Sequence, residues 1–339
     1  MRVLYVGRSR GVHDRRFIEA WAASGAEVVE VFLDGAEHDP ATRVELALRE
    51  AAPDLVQVGP TTSPGAVVAR LWHGPLIATS WGFDLMHDVD VDDTALAQAT
   101  AVLQRADRVF VDNDGPARRA RELGAAADSL ISFPWGVDQR VFTLDGPGVR
   151  DPHHVVSVRR HDAAYRVGDV LEAFVLAVSA DDRLRLTLAG TGPLTDELRA
   201  RAAEAGIADR VDWPGELGAE ALAELLRSSG LYVSSSPIDG SSVSLLEAMA
   251  CGAPVVVTDI EGNRQWVDES TGWTFPPGDV TALAGLMVRL AGDAVEAGSR
   301  RDAALERVRS GADWAATAAR FPEFAAAAIA AAAERHRVR

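Results

Sequence analysis

Short apolar runs, three to five residues long and rich in valine, recur along the whole chain with amphipathic stretches between them. In the first half the runs are Val3–Val6, Val28–Phe32, Leu55–Val58, Leu76–Thr79, Val109–Val111 and Leu130–Ser132. Each is a strand candidate, and the intervening stretches have helical spacing. The alternation stops at Thr143-Leu-Asp-Gly-Pro-Gly-Val-Arg-Asp-Pro152, which holds two glycines and two prolines without periodicity and therefore reads as a linker. It then restarts with Val155–Val158, Leu184–Leu188, Val211–Trp213, Leu231–Val233, Val255–Thr258 and Trp273–Phe275. The expected fold class is α/β, with two Rossmann-like, doubly wound parallel sheets and ligands in a cleft at the carboxyl ends of their strands. The 339 residues suffice for two domains of ordinary size. The Ala-rich segment Ala312–Glu334 reads as one long helix, its alanines being either a packing face or mere composition.

The richest stretch for chemistry is Asp239-Gly-Ser-Ser-Val-Ser-Leu-Leu-Glu247-Ala-Met-Ala-Cys-Gly-Ala-Pro254-Val-Val-Val-Thr258. It places two carboxylates eight positions apart across a loop-to-helix junction. Ser241 or Ser242 is a natural N-cap, Gly240 permits close approach of a ligand to the backbone, and the first free N–H groups of the helix suit a diphosphate. Asp239 lies outside the helix and Glu247 about five residues into it, roughly 7 Å along the axis at about 1.5 Å per residue. A nucleotide-sugar presents sugar, diphosphate and ribose on that scale. Asp239 is thus assigned to the donor sugar, the amides of Ser241, Ser242 and Val243 to the phosphates, and Glu247 to the ribose hydroxyls. The plainer alternative is a capped helix with surface acids.

The same stretch resembles the signature of the retaining family-4 glycosyltransferases of the GT-B fold: Glu, seven residues, Glu, then Ala-Met-Ala-x-Gly-x-Pro-Val-Val. Here Asp239 replaces the first Glu and reaches about one methylene less far. Gly190-Thr-Gly-Pro193, Arg210-Val-Asp-Trp-Pro-Gly215, Leu231-Tyr-Val-Ser-Ser-Ser236, Gly262-Asn-Arg264 and Gly272-Trp-Thr-Phe-Pro-Pro-Gly-Asp279 resemble the family's donor-domain segments in the same order. Phe133-Pro-Trp-Gly-Val-Asp138 with Phe142 is similar to its interdomain approach segment.

The resemblance implies an acceptor-side domain over residues 1–146 and a nucleotide-sugar-binding domain over residues 153–311. A helix over 312–339 would cross back onto the first domain. It also implies a metal-independent retaining transfer of a sugar from a nucleoside diphosphate to an acceptor hydroxyl on a glycan, a lipid-linked or a small molecule. The nucleotide-sugar would be substrate and no cofactor is needed. Arg159 matches the family's phosphate-binding Arg, and a guanidinium offers bidentate bonds to phosphate oxygens. Asp239, Arg159 and Glu247 would carry catalysis, with Gly190, Trp213 and Gly215 on the donor side. The usual Lys is replaced by Tyr165, so Arg160 or Arg166 is a candidate for the lost charge, and either is as readily a solvated surface arginine. Where many relatives have His before Gly, Ile77-Ala-Thr-Ser-Trp-Gly-Phe-Asp84 has Trp81, which either packs on a sugar face or fills the core. Asp84 is a candidate for an acceptor hydroxyl or a helix cap.

In the first βα loop, Gly7-Arg-Ser-Arg-Gly11, Gly11 would let amides approach phosphate or acceptor. Arg10, His13 and Arg15 beside it are acceptor candidates.

Composition narrows the alternatives. A net charge of −16, with no basic stripe, argues against general nucleic-acid binding. An arginine group, Arg8, Arg10, Arg15 and Arg16, leaves peripheral contact with a membrane-borne acceptor open. No apolar run reaches about 18 residues, so no transmembrane helix is expected. Met1–Val6 reads as a strand rather than a signal peptide, which makes the cytoplasm the expected compartment. The 34 basic residues contain no lysine, and Cys251 is the only cysteine, which excludes an intrachain disulfide. Met86-His-Asp-Val-Asp-Val-Asp-Asp93 contains Asp-x-Asp but precedes the helical Thr94–Ala106, whose dipole favours acids there. His153, His154 and His161 lack helical metal-ligand spacing, and no metal site is expected. Gly190-Thr-Gly-Pro-Leu-Thr195 lacks the third glycine of a dinucleotide fingerprint. Two rival readings are a GT-B-like sugar-nucleotide epimerase and a non-catalytic sugar-nucleotide-binding relative, the second prompted by the departures at Asp239, Tyr165 and Trp81.

Overall fold

The computed structural model describes residues 1–34 and 39–338. Among these, twelve strands form: β1 Arg2–Gly7, β2 Glu27–Phe32, β3 Leu55–Val58, β4 Leu76–Thr79, β5 Arg108–Val111, β6 Leu130–Ser132, β7 Asp151–Val158, β8 Arg185–Ala189, β9 Val211–Gly215, β10 Ser229–Ser234, β11 Val255–Thr258 and β12 Trp273–Phe275. Every strand candidate read from the sequence overlaps one of them.

The chain divides into two compact units, residues 1–135 with 314–339, and residues 136–313. The first holds a six-stranded sheet ordered β2-β1-β3-β4-β5-β6, and all its pairings are parallel. The second holds a six-stranded parallel sheet ordered β12-β11-β10-β7-β8-β9. Buried on both faces, these strands are nearly continuous apolar runs: Leu55, Val56 and Val58 in β3, and Val255, Val256 and Val257 in β11, have no exposed surface. In each sheet the strand order reverses once. The reversal falls between β1 and β3 in the first and between β7 and β10 in the second, the positions at which open α/β sheets admit ligands.

The boundary between units lies at Trp135/Gly136, earlier than the Gly- and Pro-rich stretch that reads as a linker. That stretch is tied to the second unit: buried Arg227 donates from Nε to the carbonyl of Pro147 at 2.9 Å and from Nη1 to that of Thr143 at 3.3 Å. Asp151 and Pro152 already belong to β7. The two ends of the second unit also meet, the amide of Val137 donating to the carbonyl of Ala312 at 2.8 Å.

The C-terminal segment is two helices, Trp314–Ala318 and Phe321–Val338, rather than the single one expected. Pro322 is the reason: it has no N–H to give to a carbonyl of the preceding turn, yet is tolerated in the first turn of a new helix. Ala325, Ala328 and Ala332 are buried at helical spacing, so these alanines form a packing face. Phe321 meets Trp21 edge-on at 4.7 Å and Phe324 stacks on Phe133 at 5.4 Å, within the first unit. Farther along, Arg335 grips the buried carboxylate of Asp107 with Nε at 2.9 Å and Nη2 at 3.2 Å. No helix among the described residues is long and apolar enough to cross a membrane.

Candidate functional site

β7 and β10 are neighbours across the order reversal of the second sheet, so the residues that follow them come together. Arg159 follows β7 and the loop 235–242 follows β10. The Arg159 side chain is only 9% exposed and forms an ion pair through Nη2 with Asp239, which is 17% exposed. Nη1 donates to Ser242 Oγ at 3.0 Å and reaches Ser244 Oγ at 3.4 Å. The Tyr165 ring lies 4.7 Å from the guanidinium carbon, a cation–π contact. Tyr165 therefore holds Arg159 through its ring. Burial, the largest single influence, lowers the affinity of this guanidinium for its proton, but the charge of Asp239, its hydrogen bond and the nearby Tyr232 and Tyr165 together outweigh it and the pKa is raised.

A second layer lies beneath. Tyr232 of β10 is fully buried, and its hydroxyl is 2.8 Å from Ser244 Oγ, which closes a polar path from the sheet to Arg159. Burial pushes the Tyr232 phenol pKa up, against the opposing influence of Arg159 and the Ser244 hydrogen bond. The sequence reading missed both residues. Their signal was Tyr232 between the apolar Leu231 and Val233 of a buried strand, since a buried tyrosine hydroxyl requires a partner.

Ser242 occupies the N-cap position of the helix Val243–Ala250, but its side chain makes no capping hydrogen bond. Its hydroxyl serves Arg159 instead. Ser241, Ser242 and Glu247 are buried, and so is Gly240. Glu247 lies within the helix, Asp239 before it, which is the order expected from the sequence. The loop is approached closely by Gly262 of the short helix Glu261–Arg264, where a Cβ would stand 2.3 Å from the Asp239 carbonyl oxygen and 2.5 Å from that of Gly240. Asn263 fixes the adjoining turn, its amide donating to the Thr258 carbonyl at 2.9 Å. Cys251 is buried, with its thiol pKa pushed up to about 12 by that burial, so it is an inert core residue.

The remaining donor-side candidates are placed differently. Gly190, at φ +135°, presents its Cα to the Arg159 carbonyl, where a Cβ would come within 2.4 Å. The amide of Gly190 donates to the Gly215 carbonyl at 2.8 Å. Trp213 packs edge-on against His161 at 5.7 Å and under Arg199. These three residues shape the wall behind the 159–161 backbone. Arg166 pairs with Asp169 at 2.9 Å. Arg160 is 62% exposed, with Asp162 at 3.9 Å. Among the described residues their ion pairs go to Asp162 and Asp169, not to Asp239, so neither arginine joins the Arg159–Asp239 pair.

In the first unit, Gly11 is the N-cap of the helix Val12–Ala23, and its amide donates to Asp14 Oδ2 at 3.0 Å. That amide is thereby engaged within the chain. Asp14 is buried, also accepts from the Tyr5 hydroxyl at 3.0 Å, and has its pKa raised by burial. Arg10 pairs with Glu30 at 3.2 Å on the surface, while Arg8 donates to Thr62 Oγ1 at 3.0 Å across the β1–β3 reversal. The rings of His13 and Trp81 stack at 5.5 Å, and Trp81 also meets Phe17 and Trp135 edge-on. Trp81 is partly exposed, so it both packs and presents a face. Asp84 is fully buried: it accepts from the Thr61 amide at 2.8 Å, the Thr61 hydroxyl at 2.7 Å and the Ser80 hydroxyl at 2.6 Å. With both carboxylate oxygens engaged, Asp84 ties two loops together and presents no free oxygen to an acceptor. Burial raises its pKa against these bonds.

The two parallel six-stranded sheets with flanking helices match the structures of GT-B glycosyltransferases, and that is the fold of this chain. Anabaena HepE in complex with UDP and glucose superposes with a TM-score of 0.79 at 17% identity, covering 95% of this chain and 98% of HepE. Sucrose-phosphate synthase from Thermosynechococcus elongatus gives a TM-score of 0.75 at 21% identity over 95% of this chain and 98% of its own. Residues 152–293, which include Arg159, Asp239 and Glu247, match the family described as glycosyl transferases group 1. Similar sequences include the amylovoran biosynthesis glycosyltransferase AmsK of Erwinia amylovora, 26% identical over 50% of this chain and 43% of the relative. The phosphatidyl-myo-inositol mannosyltransferase of Mycobacterium leprae is 30% identical over 65% of this chain and 59% of its own length. The chain thus spans about half the length of the curated relatives it matches.

Proposed function

We propose that the protein is a metal-independent retaining glycosyltransferase, moving a sugar from a nucleoside diphosphate to an acceptor hydroxyl. The observation that carries this reading is the convergence, at one strand-order reversal, of Arg159, a helix N-terminus without a side-chain cap, and two carboxylates, Asp239 just before that helix and Glu247 within it. Diphosphate oxygens would be held by Arg159 and the amides of Ser242 and Val243. Asp239 would take the donor-sugar hydroxyls and Glu247 the ribose. As the bond from the anomeric carbon to the diphosphate breaks, negative charge grows on the leaving oxygen, where a fixed guanidinium and helix dipole stabilise it most. In the account implied by the family-4 resemblance, the acceptor oxygen bonds to that carbon on the same face, and its proton passes to a donor phosphate oxygen. The chain needs no side-chain nucleophile for this.

HepE has been seen with UDP and with UDP-glucose, which supports a nucleotide-sugar, and a UDP-sugar first, as donor. His13 and Trp81 are the acceptor-side candidates, and the cytoplasm remains the proposed compartment. Thermal-shift screening against UDP-, GDP-, dTDP- and ADP-sugars tests the reading, because a ligand of the folded state raises the melting temperature by mass action. A donor that stabilises the protein and is turned over with an acceptor bears it out. Stabilisation with neither transfer nor slow hydrolysis leaves a sugar-nucleotide-binding relative, conversion of the donor alone leaves an epimerase, and no stabilisation by any donor overturns it.

A further inference from the structure

Arg159 already has a partner. The side chain best placed to receive the donor phosphate is paired with Asp239, the side chain best placed to receive the donor sugar. The pair is one-armed. Nη2 engages Asp239 Oδ2 and Nη1 faces Ser242 and Ser244, while Nε, on the same edge as Nη2, is buried without a hydrogen-bond partner. A phosphate with two oxygens would satisfy Nε and Nη2 together, which a single carboxylate oxygen does not. A diphosphate entering the site would therefore take Arg159 from Asp239, leaving a largely buried carboxylate without its cation. Removing one partner of a buried pair is costly because the other charge stays behind.

We propose that Asp239 is a specificity-determining residue that separates a nucleotide-sugar from the free nucleoside diphosphate, through exchange of its ion pair with Arg159. This rests on the reading of the site as a donor site. A nucleotide-sugar brings hydroxyls that donate to Asp239 once Arg159 has turned to the phosphates. A bare diphosphate brings none and is penalised by the unpaired carboxylate. The consequence is weak retention of the nucleotide left behind after transfer.

The test is calorimetric titration of the full chain with UDP, GDP, ADP and dTDP, each beside its glucose conjugate, using wild type, Asp239→Asn and Asp239→Glu. Asp239→Asn should bind the best free nucleotide at least about fivefold more tightly than wild type and lose most of the preference for the conjugate. Asp239→Glu keeps the charge and should keep the wild-type weakness toward the free nucleotide. Asp239→Ser provides the same comparison if Asp239→Asn is recovered unfolded. A general loss of stability would weaken both ligand classes together and would not reverse the order for one of them. Free nucleotide binding no more tightly to either neutral variant than to wild type overturns the exchange while leaving the donor site intact. No binding of any nucleotide to wild type overturns the donor site itself.

Discussion

Ser242 stands at the N-cap of its helix and yet gives its hydroxyl to Arg159, whose Nη1 lies 3.0 Å away. The helix entrance is therefore left to main-chain amides, and the serine acts as a rest for the guanidinium.

Ser242→Ala should accordingly behave unlike an ordinary cap deletion. Losing a capping serine usually costs about 1 kcal/mol. With no capping bond present, the loss here should stay below about 0.5 kcal/mol, whereas donor affinity should fall several-fold as Arg159 loses a hydrogen-bond acceptor. Denaturant titration and donor titration on the same variant separate the two effects.

Arg159→Ala should lower donor turnover by at least about a hundredfold, in line with the loss of one oxyanion-stabilising group. It should also destabilise the fold by about 3 kcal/mol, because Asp239 is left largely buried and without its cation. Adding Asp239→Ala should recover much of that stability and none of the turnover. A double variant no more stable than Arg159→Ala would refute the coupling.

Gly262→Ala would drive a methyl group against the carbonyl oxygens of Asp239 and Gly240, which stand 2.3 and 2.5 Å from the added carbon. Backbone cannot rotate away as a side chain can, so a cost of about 1–3 kcal/mol is expected. Donor binding should suffer with it, since the displaced loop carries Asp239. Unchanged melting and unchanged affinity would show that the loop yields freely.

Acid should weaken the second unit through its histidines. Burial lowers the pKa of His154 below its ordinary 6.5, and burial with the nearby charge of Arg199 does the same for His161. Between each folded pKa and 6.5 the unfolded chain binds more protons, so the stability they confer is full above 6.5 and is lost progressively as pH falls toward the folded values. His154→Gln should flatten the fall in urea midpoint between pH 7 and pH 5.5. A slope identical to wild type would assign it to other groups.

The twelve strands were legible because each is a compact apolar run bounded by polar or glycine-rich turns, and strands buried on both faces tolerate little else. The order of Asp239, helix and Glu247 was legible for a similar reason, being local. Arg159 meeting Asp239 was not, since eighty residues separate them and the meeting depends on β7 and β10 being neighbours. Asp84 misled because an Asp before a helix looks available in sequence, while its three donors come from two other places in the chain. Gly190 was legible only in part: glycine announces a close approach without naming what approaches, and one such neighbour here is the Arg159 carbonyl. The break before Phe321 was written in Pro322, and the run of alanines on either side obscured it.

The route of the chain dictates how the molecule can be cut. Cleavage after Asp313 would remove Phe321 and Phe324, which lie in the aromatic interior of the first unit, so it amputates a core rather than trimming a tail. The second unit, by contrast, is an uninterrupted stretch whose beginning and end are already laced together at Val137 and Ala312, ready to be excised or transplanted as a cassette.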